Sequence, residues 1–323
     1  VTQMGNQGSS NPEQKMVQKW IKDGIIGKVS TVYTWTDRPV WAQGSPMPKP
    51  DPSQKPEGMN WDLWIGPAKN NGYTPGLHAF SWRGYWEYGT GSLGDMGCHI
   101  MDVPIKALGI FDPFSIEASV PRVPYVADFT PAPVYEESCP PSSYVTYKFR
   151  PSKINDSEVK MIWMDGGIRP SHPEIITDKD QIGDNGILML GENGLIWSDY
   201  YGVSARLYIK GQKGAVEVGK ISEINSVEFG HQKHWVDAIK AGFGSEEHNN
   251  LTSSFDFAGP LSEIVLLGNA AIRSSLLKRS PRSTIYIGRK QLLYDSKKME
   301  ITNLDQANQF LTRQYRGGWD LNV

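Results

Sequence analysis

Gly89-Thr90-Gly91-Ser92-Leu93-Gly94 runs straight into Asp95-Met96-Gly97-Cys98-His99, and the reading of this junction decides the fold. The glycines satisfy G-x-G-x-x-G, the spacing with which a buried strand turns into a helix whose N-terminus receives a pyrophosphate. That reading needs an apolar strand before the glycines, a helix after them, and an acidic residue about 20 residues on, at a strand end. Only the helix is present. The preceding stretch SWRGYWEY carries Arg83 and Glu87, and the acidic candidate Glu117 falls inside a strand pattern. The dinucleotide reading of the glycines is set aside, and with it a parallel, doubly wound sheet.

The residues after the glycines are more informative. If a helix begins at Asp95, then Asp95, His99 and Asp102 fall at i, i+4 and i+7 along one stripe. The dipole favours Asp95 in the first turn. Pro104 removes the amide that would bond the Ile100 carbonyl, so a bend is expected just past the stripe. An imidazole titrates near neutrality and a carboxylate can orient or tune it, which makes His99 and Asp95 a candidate acid/base pair. The competing reading is an N-capping Asp with a half-buried His bonded to backbone. A metal site on Asp95, His99 and Asp102 is weaker, because no further ligand clusters with them.

Outward from the junction, the chain alternates two textures. Residues 1–4, VTQM, read as a strand end and GNQGSS as a loop. SNPEQKMVQKWIKDG reads as a helix with a Ser10/Glu13 capping box, Pro12 in its first turn, Gly24 as its stop, and Met16, Val17, Trp20 and Ile21 on its apolar face. VSTVYTW alternates as a strand. Residues 38–88 are rich in Pro, Gly and Trp, and so long a stretch without regular pattern is usually either disordered or functional. Its tryptophans favour an ordered loop system over a site.

Beyond the junction, FSIEASV, SYVTYKF, EVKMIWM and SARLYIK read as strands, and GILMLGENGLIWSDYY as a hairpin about Gly191–Gly194. HQKHWVDAIKAG and GPLSEIVLLGNAAIRSSLL read as helices, STIYIG and QLLYD as a strand pair, and NLDQANQFLTRQYRGGW as a last helix. The class is therefore α+β: one large, mostly antiparallel sheet with helices on one face.

Composition narrows function by exclusion. The 323 residues carry 33 Lys+Arg against 35 Asp+Glu, a net charge of −2. No basic cluster speaks for nucleic acid or an anionic membrane, and no apolar run approaches the roughly 20 residues of a membrane span. Cys98 and Cys139 build no disulfide framework and fit no zinc spacing. The 11 Trp and 14 Tyr supply core, with a few available as flat platforms for sugar rings. The chain opens at Val1 with no signal peptide, so it is expected to be a piece of a longer protein, and its compartment is not indicated.

GTGSLGDMGCHIMD, residues 89–102, resembles the G-G-G-x-x-x-D-x-G-x-H-x-x-D segment of the Gfo/Idh/MocA oxidoreductases. NPEQKMVQKWIKDGIIGKV resembles the family's helix ending in G-x-I-G-x-V, where a nucleotide domain hands over to a substrate domain. NWDLWIGPA, WRGYW, GENGLIWS and PLSEIVLLGNAAIR are similar to a bacterial subgroup of sugar dehydrogenases. The resemblance implies that residues 1–27 are the last strand and helix of a nucleotide-binding domain. It makes residues 28–323 a substrate and oligomerisation domain, with a helix and tail at 301–323.

By the same resemblance His99 would take a hydroxyl proton from a sugar, sugar derivative or cyclic polyol while hydride passes to NAD or NADP. Asp95 would assist and Asp102 would be structural. Asn6 and Gln7 match positions where the family's chain passes the nicotinamide; a polar loop before a capped helix is the plainer account of them. The nucleotide loop and its lysine would lie before Val1, so this chain alone is expected to be inactive. An NAD-dependent glycosidase of the same superfamily and a non-catalytic carbohydrate-binding module are the alternatives. A homo-oligomer through the open sheet is expected.

Further candidates have plain alternatives. Arg83, between Trp82 and Tyr85, could bind a substrate's hydroxyl pair or carboxylate, or pair with an acidic residue. His78 and Trp82 lie where they could touch substrate. Trp61 and Trp64 flank a turn at Gly66 and fit core packing. His231 and His234 open a helix and read as a solvated first turn. Asp165-Gly166-Gly167 reads as a turn. Arg313, Tyr315, Arg316 and Trp319 could fold back on the cleft or meet another subunit.

Overall fold

The computed structural model describes residues 1–121, 135–177, 181–216 and 230–320. Among the described residues nine strands form one sheet in the order β7-β6-β5-β1-β4-β3-β2-β8-β9. They are β1 Val29–Trp35, β2 Pro113–Ser119, β3 Tyr144–Phe149, β4 Val159–Met164, β5 Gly186–Gly191, β6 Gly194–Ser198, β7 Arg206–Ile209, β8 Leu292–Asp295 and β9 Glu300–Ile301. Only β1 and β4 run parallel, in the register Val32↔Met161; every other pairing is antiparallel. The fold is α+β with a large, mostly antiparallel sheet.

Strand periodicity sorts side chains to two faces. Val159, Met161 and Trp163 of β4 join Val145, Tyr147 and Phe149 of β3 in the main core, while Ile162 and Met164 point the other way. The helices are α1 Pro12–Lys22, α2 Trp61–Ile65, α3 Gly91–Ile100, α4 Asp102–Leu108, α5 His231–Ala241, α6 Glu246–Asn249 and α7 Phe255–Ser274, and α1, α3, α4 and α7 close the main core. On α1, Val17, Trp20 and Ile21 are buried, each contributing about 1.5–3 kcal/mol of apolar transfer. By length and composition α7 could cross a membrane, yet Leu261, Ile264, Val265 and Ile272 are spent on this core. The second face carries a smaller cluster of Trp35, Ile162, Met164, Leu188 and Leu195, covered in part by Ile176 and Ile182 of a loop. Towards β2 and β3 that face is polar or open, with Glu117, Ser119 and Tyr144 exposed.

Several expectations are corrected. Residues 1–4 form no strand; the Met4 amide bonds the Ser253 carbonyl instead. The cap of α1 is Asn11, whose side chain accepts from the Glu13 amide; Ser10 sits in a 3-10 turn (Gln7–Ser10), and its hydroxyl serves His231. STIYIG does not pair with QLLYD: Ser115 and Ile116 of β2 take up Leu293 and Leu292, and β9 covers the other edge. The C-terminal helix expected at 301–323 is a 3-10 turn, Asp305–Phe310, followed by an irregular tail. Tertiary partners override weak local preference in each case.

Candidate functional site

The glycine run is part of the helix. Capped at Thr90, α3 begins at Gly91, so Asp95 lies a full turn inside it and the dipole argument for Asp95 fails. The glycines are there for close packing. A Cβ at Gly89 would lie 2.7 Å from Arg83 backbone, at Gly91 2.9 Å from Cys139, and at Gly94 1.7 Å from the Thr90 hydroxyl. Gly91 also has φ +64, which few other residues tolerate. Nothing in this geometry leaves room for a pyrophosphate.

The stripe divides where the helix breaks. Met101 separates α3 from α4, so the break falls before Asp102 and not past it; Pro104 lies within the first turn of α4, where a missing amide costs little. Asp95 and His99 stay on the outer side of α3. Asp102 turns inward and is fully buried. It accepts from Gln14 Nε2 at 3.2 Å and Ser9 Oγ at 3.4 Å and pairs with Lys106 at 3.0 Å. Lys106 in turn donates to Ser9 Oγ. Asp102 ties α4 to α1 and to the 3-10 turn before it.

Asp95 is engaged by Arg83 and not by His99. Arg83 Nε donates to Asp95 Oδ1 at 2.9 Å, and Nη1 donates to the Phe80 carbonyl at 3.2 Å. The guanidinium carbon lies 4.8 Å from both the Phe80 and Trp82 ring centres and 5.9 Å from Trp41. Planar, weakly hydrated Arg suits such an aromatic seat, at about 0.5–1 kcal/mol per exposed contact. Trp82 is itself fixed by an Nε1–H bond to Ala79. The 3-10 turn Ser81–Gly84 therefore carries Arg83 onto α3, and the aromatic loop is clamped to the helix that bears His99.

His99 is half-buried, and its Nδ1 is buried with no hydrogen-bond partner. Its ring meets Tyr201 edge-to-face at 5.3 Å. Burial lowers its pKa, outweighing the raising influence of Asp95 and Asp102. At neutral pH it is an uncharged imidazole, able to accept a proton. Cys98 is no competitor as a nucleophile, since burial pushes its thiol up to about 12. Asn6 is enclosed, with Nδ2 3.5 Å from the Cys98 carbonyl and Oδ1 unpartnered; Gln7 is half-buried.

Residues 10–122 match the model of the oxidoreductase family's C-terminal alpha/beta domain. Over this segment the chain is similar to the Gfo/Idh/MocA oxidoreductases. A comparison with curated proteins returns no match. Among solved structures, the chain is similar to an aldose-aldose oxidoreductase from Caulobacter crescentus complexed with glycerol, at 17% identity and TM-score 0.49, covering 84% of this chain and 61% of that one. It is also similar to an NAD binding oxidoreductase from Klebsiella pneumoniae, at 13% and 0.49, covering 90% and 65%. A third is a super-repressor mutant of Gal80p from Saccharomyces cerevisiae, at 15% and 0.44, covering 84% and 61%. The chain thus spans less than two thirds of the length of these structures.

Within the family segment, the sequence-derived candidates fall into two groups. Arg83, Trp82, Asp95 and His99 share the region where the Ser81–Gly84 turn meets α3. His78 is exposed and lies beside Trp64, with ring centres 5.9 Å apart. Trp61 stacks on Trp64 at 4.7 Å and packs on Tyr73, building a separate aromatic core for the loop. The tail folds back on this loop: Arg316 donates to the Asp62 and Gly66 carbonyls, and Arg313 to the Glu87 carbonyl. His231 is not solvated but buried, a correction; His234 is exposed.

Three contributors went unnoticed in the sequence. Trp41 and Phe80 complete the seat of Arg83, and Tyr201, on the β6–β7 connection, caps His99. Only proximity in the fold assembles them. Asp165 does close a turn, but its buried carboxylate also collects the Ser143 amide, the Ser143 hydroxyl and Trp163 Nε1. Among the described residues no three His, Cys, Asp or Glu converge as a metal site.

Proposed function

We propose that this chain is the substrate-binding part of an NAD(P)-dependent oxidoreductase acting on a carbinol of a sugar, sugar derivative or cyclic polyol. The observation that carries the reading is His99: uncharged at neutral pH, with Nδ1 unpartnered, on the helix to which Arg83 clamps the aromatic loop. Its role is to accept the hydroxyl proton as the carbinol carbon is oxidised. Asp95, held by Arg83, keeps the loop and the helix in fixed relation and biases the local field towards the imidazolium that forms. Arg83 Nη2, Trp82, Phe80 and Tyr201 furnish the wall against which a polyhydroxylated ring would rest.

A nicotinamide nucleotide finds no cradle among the described residues. The glycine run is packed shut, and Asn6 is enclosed against α3. Asn6 and Gln7 are therefore read as positioning residues for α3. The oxidant in this reading is bound by other parts of the enzyme. The half-covered face of the sheet is the surface we assign to self-association, testable by light scattering.

The test uses the full-length protein with NAD or NADP and a panel of sugars and cyclic polyols. Formation of reduced nicotinamide, lost on His99→Asn, supports the reading. Cleavage of glycosides without net reduced nicotinamide would replace it by the glycosidase. Saccharide binding with no turnover, unaltered by His99→Asn, would replace it by a binding module.

A further inference from the structure

We infer that His231 is a protonation-sensitive latch that holds residues 2–10 against helix α5 (His231–Ala241) only while its imidazole is neutral. The geometry fixes the tautomer. His231 Nε2 lies 2.7 Å from the Met4 carbonyl oxygen, which can only accept, so Nε2 carries the proton. Nδ1 is then the acceptor for Ser10 Oγ at 2.7 Å and for the Gln3 amide nitrogen at 3.3 Å. Gln3 cannot turn its oxygen to the ring without loss, because Oε1 already takes the Ser253 amide at 3.0 Å. Ser10 Oγ is also bonded to Thr252 Oγ1 at 2.9 Å.

A second proton on Nδ1 would point at the amide hydrogens of Gln3 and turn Ser10 from donor to acceptor. The neutral ring accepts from both Gln3 and Ser10; the cation can keep Ser10, whose hydroxyl accepts as well, but it sets donor against donor at Gln3. His231 is only 3% exposed, so water has little access to stand in for a lost partner. Burial lowers the pKa of His231, the Met4 carbonyl raises it, and the surrounding charges are His234 on its own helix and Asp102 and Lys106 on α4. Residues 2–11 and 250–254, which complete the pocket, contain no titratable side chain. With the folded pKa lowered, the latch is fully made above the ordinary imidazole value and is lost as pH falls below it.

Release would reach the candidate site. The same segment carries Asn6, on the Cys98 carbonyl beside His99, and Ser9, on Asp102. That consequence rests on the role proposed for His99; the latch itself does not, and it is read without any activity assay.

The experiment is amide hydrogen exchange at Met4 and Ser9, whose N–H groups bond the Ser253 and Asn6 carbonyls. It compares the unaltered protein with His231→Gln one pH unit above and one below the ordinary imidazole value. Glutamine can donate to Met4 and accept from Ser10 but does not titrate. After correction for intrinsic exchange, the unaltered protein should lose several-fold more protection than the variant, with about tenfold as the ceiling set by one unit of linkage. Equal loss in both, or none in either, would overturn the latch. If His231→Gln does not fold, the ring nitrogens of His231 in the unaltered protein give the same decision. Loss of protection should then track the protonation of Nδ1, and loss that ignores it would overturn the latch.

Discussion

His99 and His231 sit on different helices, α3 and α5, and share one property: burial holds both imidazoles below their usual pKa. They differ in what surrounds them. His231 has partners for both ring nitrogens, whereas His99 has a buried Nδ1 with none. A satisfied buried group specifies structure. An unsatisfied one is a cost that stability alone does not explain. The contrast extends to the carboxylates: Asp102 and Asp165 are buried and fully engaged, while Asp95 is partly exposed and held by a single Arg.

The largest effect expected from this contrast is at Asp102. Asp102→Ala strands Lys106 and unties α4 from α1, so denaturant unfolding should show a loss of about 3–5 kcal/mol. His99→Gln should stay within about 1 kcal/mol, since it removes an unsatisfied atom. Similar costs for the two would break the comparison.

Asp165 sharpens it through pH. Burial raises its carboxyl to about 6, against three hydrogen bonds that favour the ionised form. A raised folded pKa means that its contribution is complete below the ordinary carboxylate value and is lost as pH rises through about 6. The stability advantage of the unaltered protein over Asp165→Asn should therefore shrink between acid and neutral pH, by at most about 3 kcal/mol for a shift of this size. A difference that stays flat with pH would show that burial does not shift the Asp165 carboxyl.

Two smaller effects are expected. His231→Ala should cost about 1–3 kcal/mol by orphaning the Met4 carbonyl and Ser10, more than His99→Ala does at the same pH. Arg83→Gln should cost only about 1 kcal/mol in stability, because the pair is partly exposed. The same change should nonetheless loosen residues 80–84 in hydrogen exchange, since the clamp on α3 is gone.

Much of the framework was legible as sequence. Strands β1 to β7 announce themselves by alternation and the β5–β6 hairpin by Gly191–Gly194, because those signals are local. The rejection of the dinucleotide reading also came from local context, the polar stretch before Gly89. What failed depended on distant partners. Helix α3 starts four residues before Asp95, at Gly91, where only a glycine fits against Cys139 with φ +64. The residues after Phe310 leave helical form because Arg313 and Arg316 find carbonyls in the aromatic loop. His231 looked solvated because nothing near it in sequence reveals that residues 3–10 cover it. The Asp95/His99 stripe was visible by spacing; that Asp95 belongs to Arg83 was not.

The most direct test of the account sets the two histidines against each other in catalysis. In the full-length protein, well above the imidazole range, His99→Asn should lower the rate of nicotinamide reduction by about a hundredfold or more, the usual weight of a general base. His231→Gln should leave it near that of the unaltered protein. Equal losses in both variants, or an active His99→Asn, would contradict the assignment of His99 as the proton acceptor.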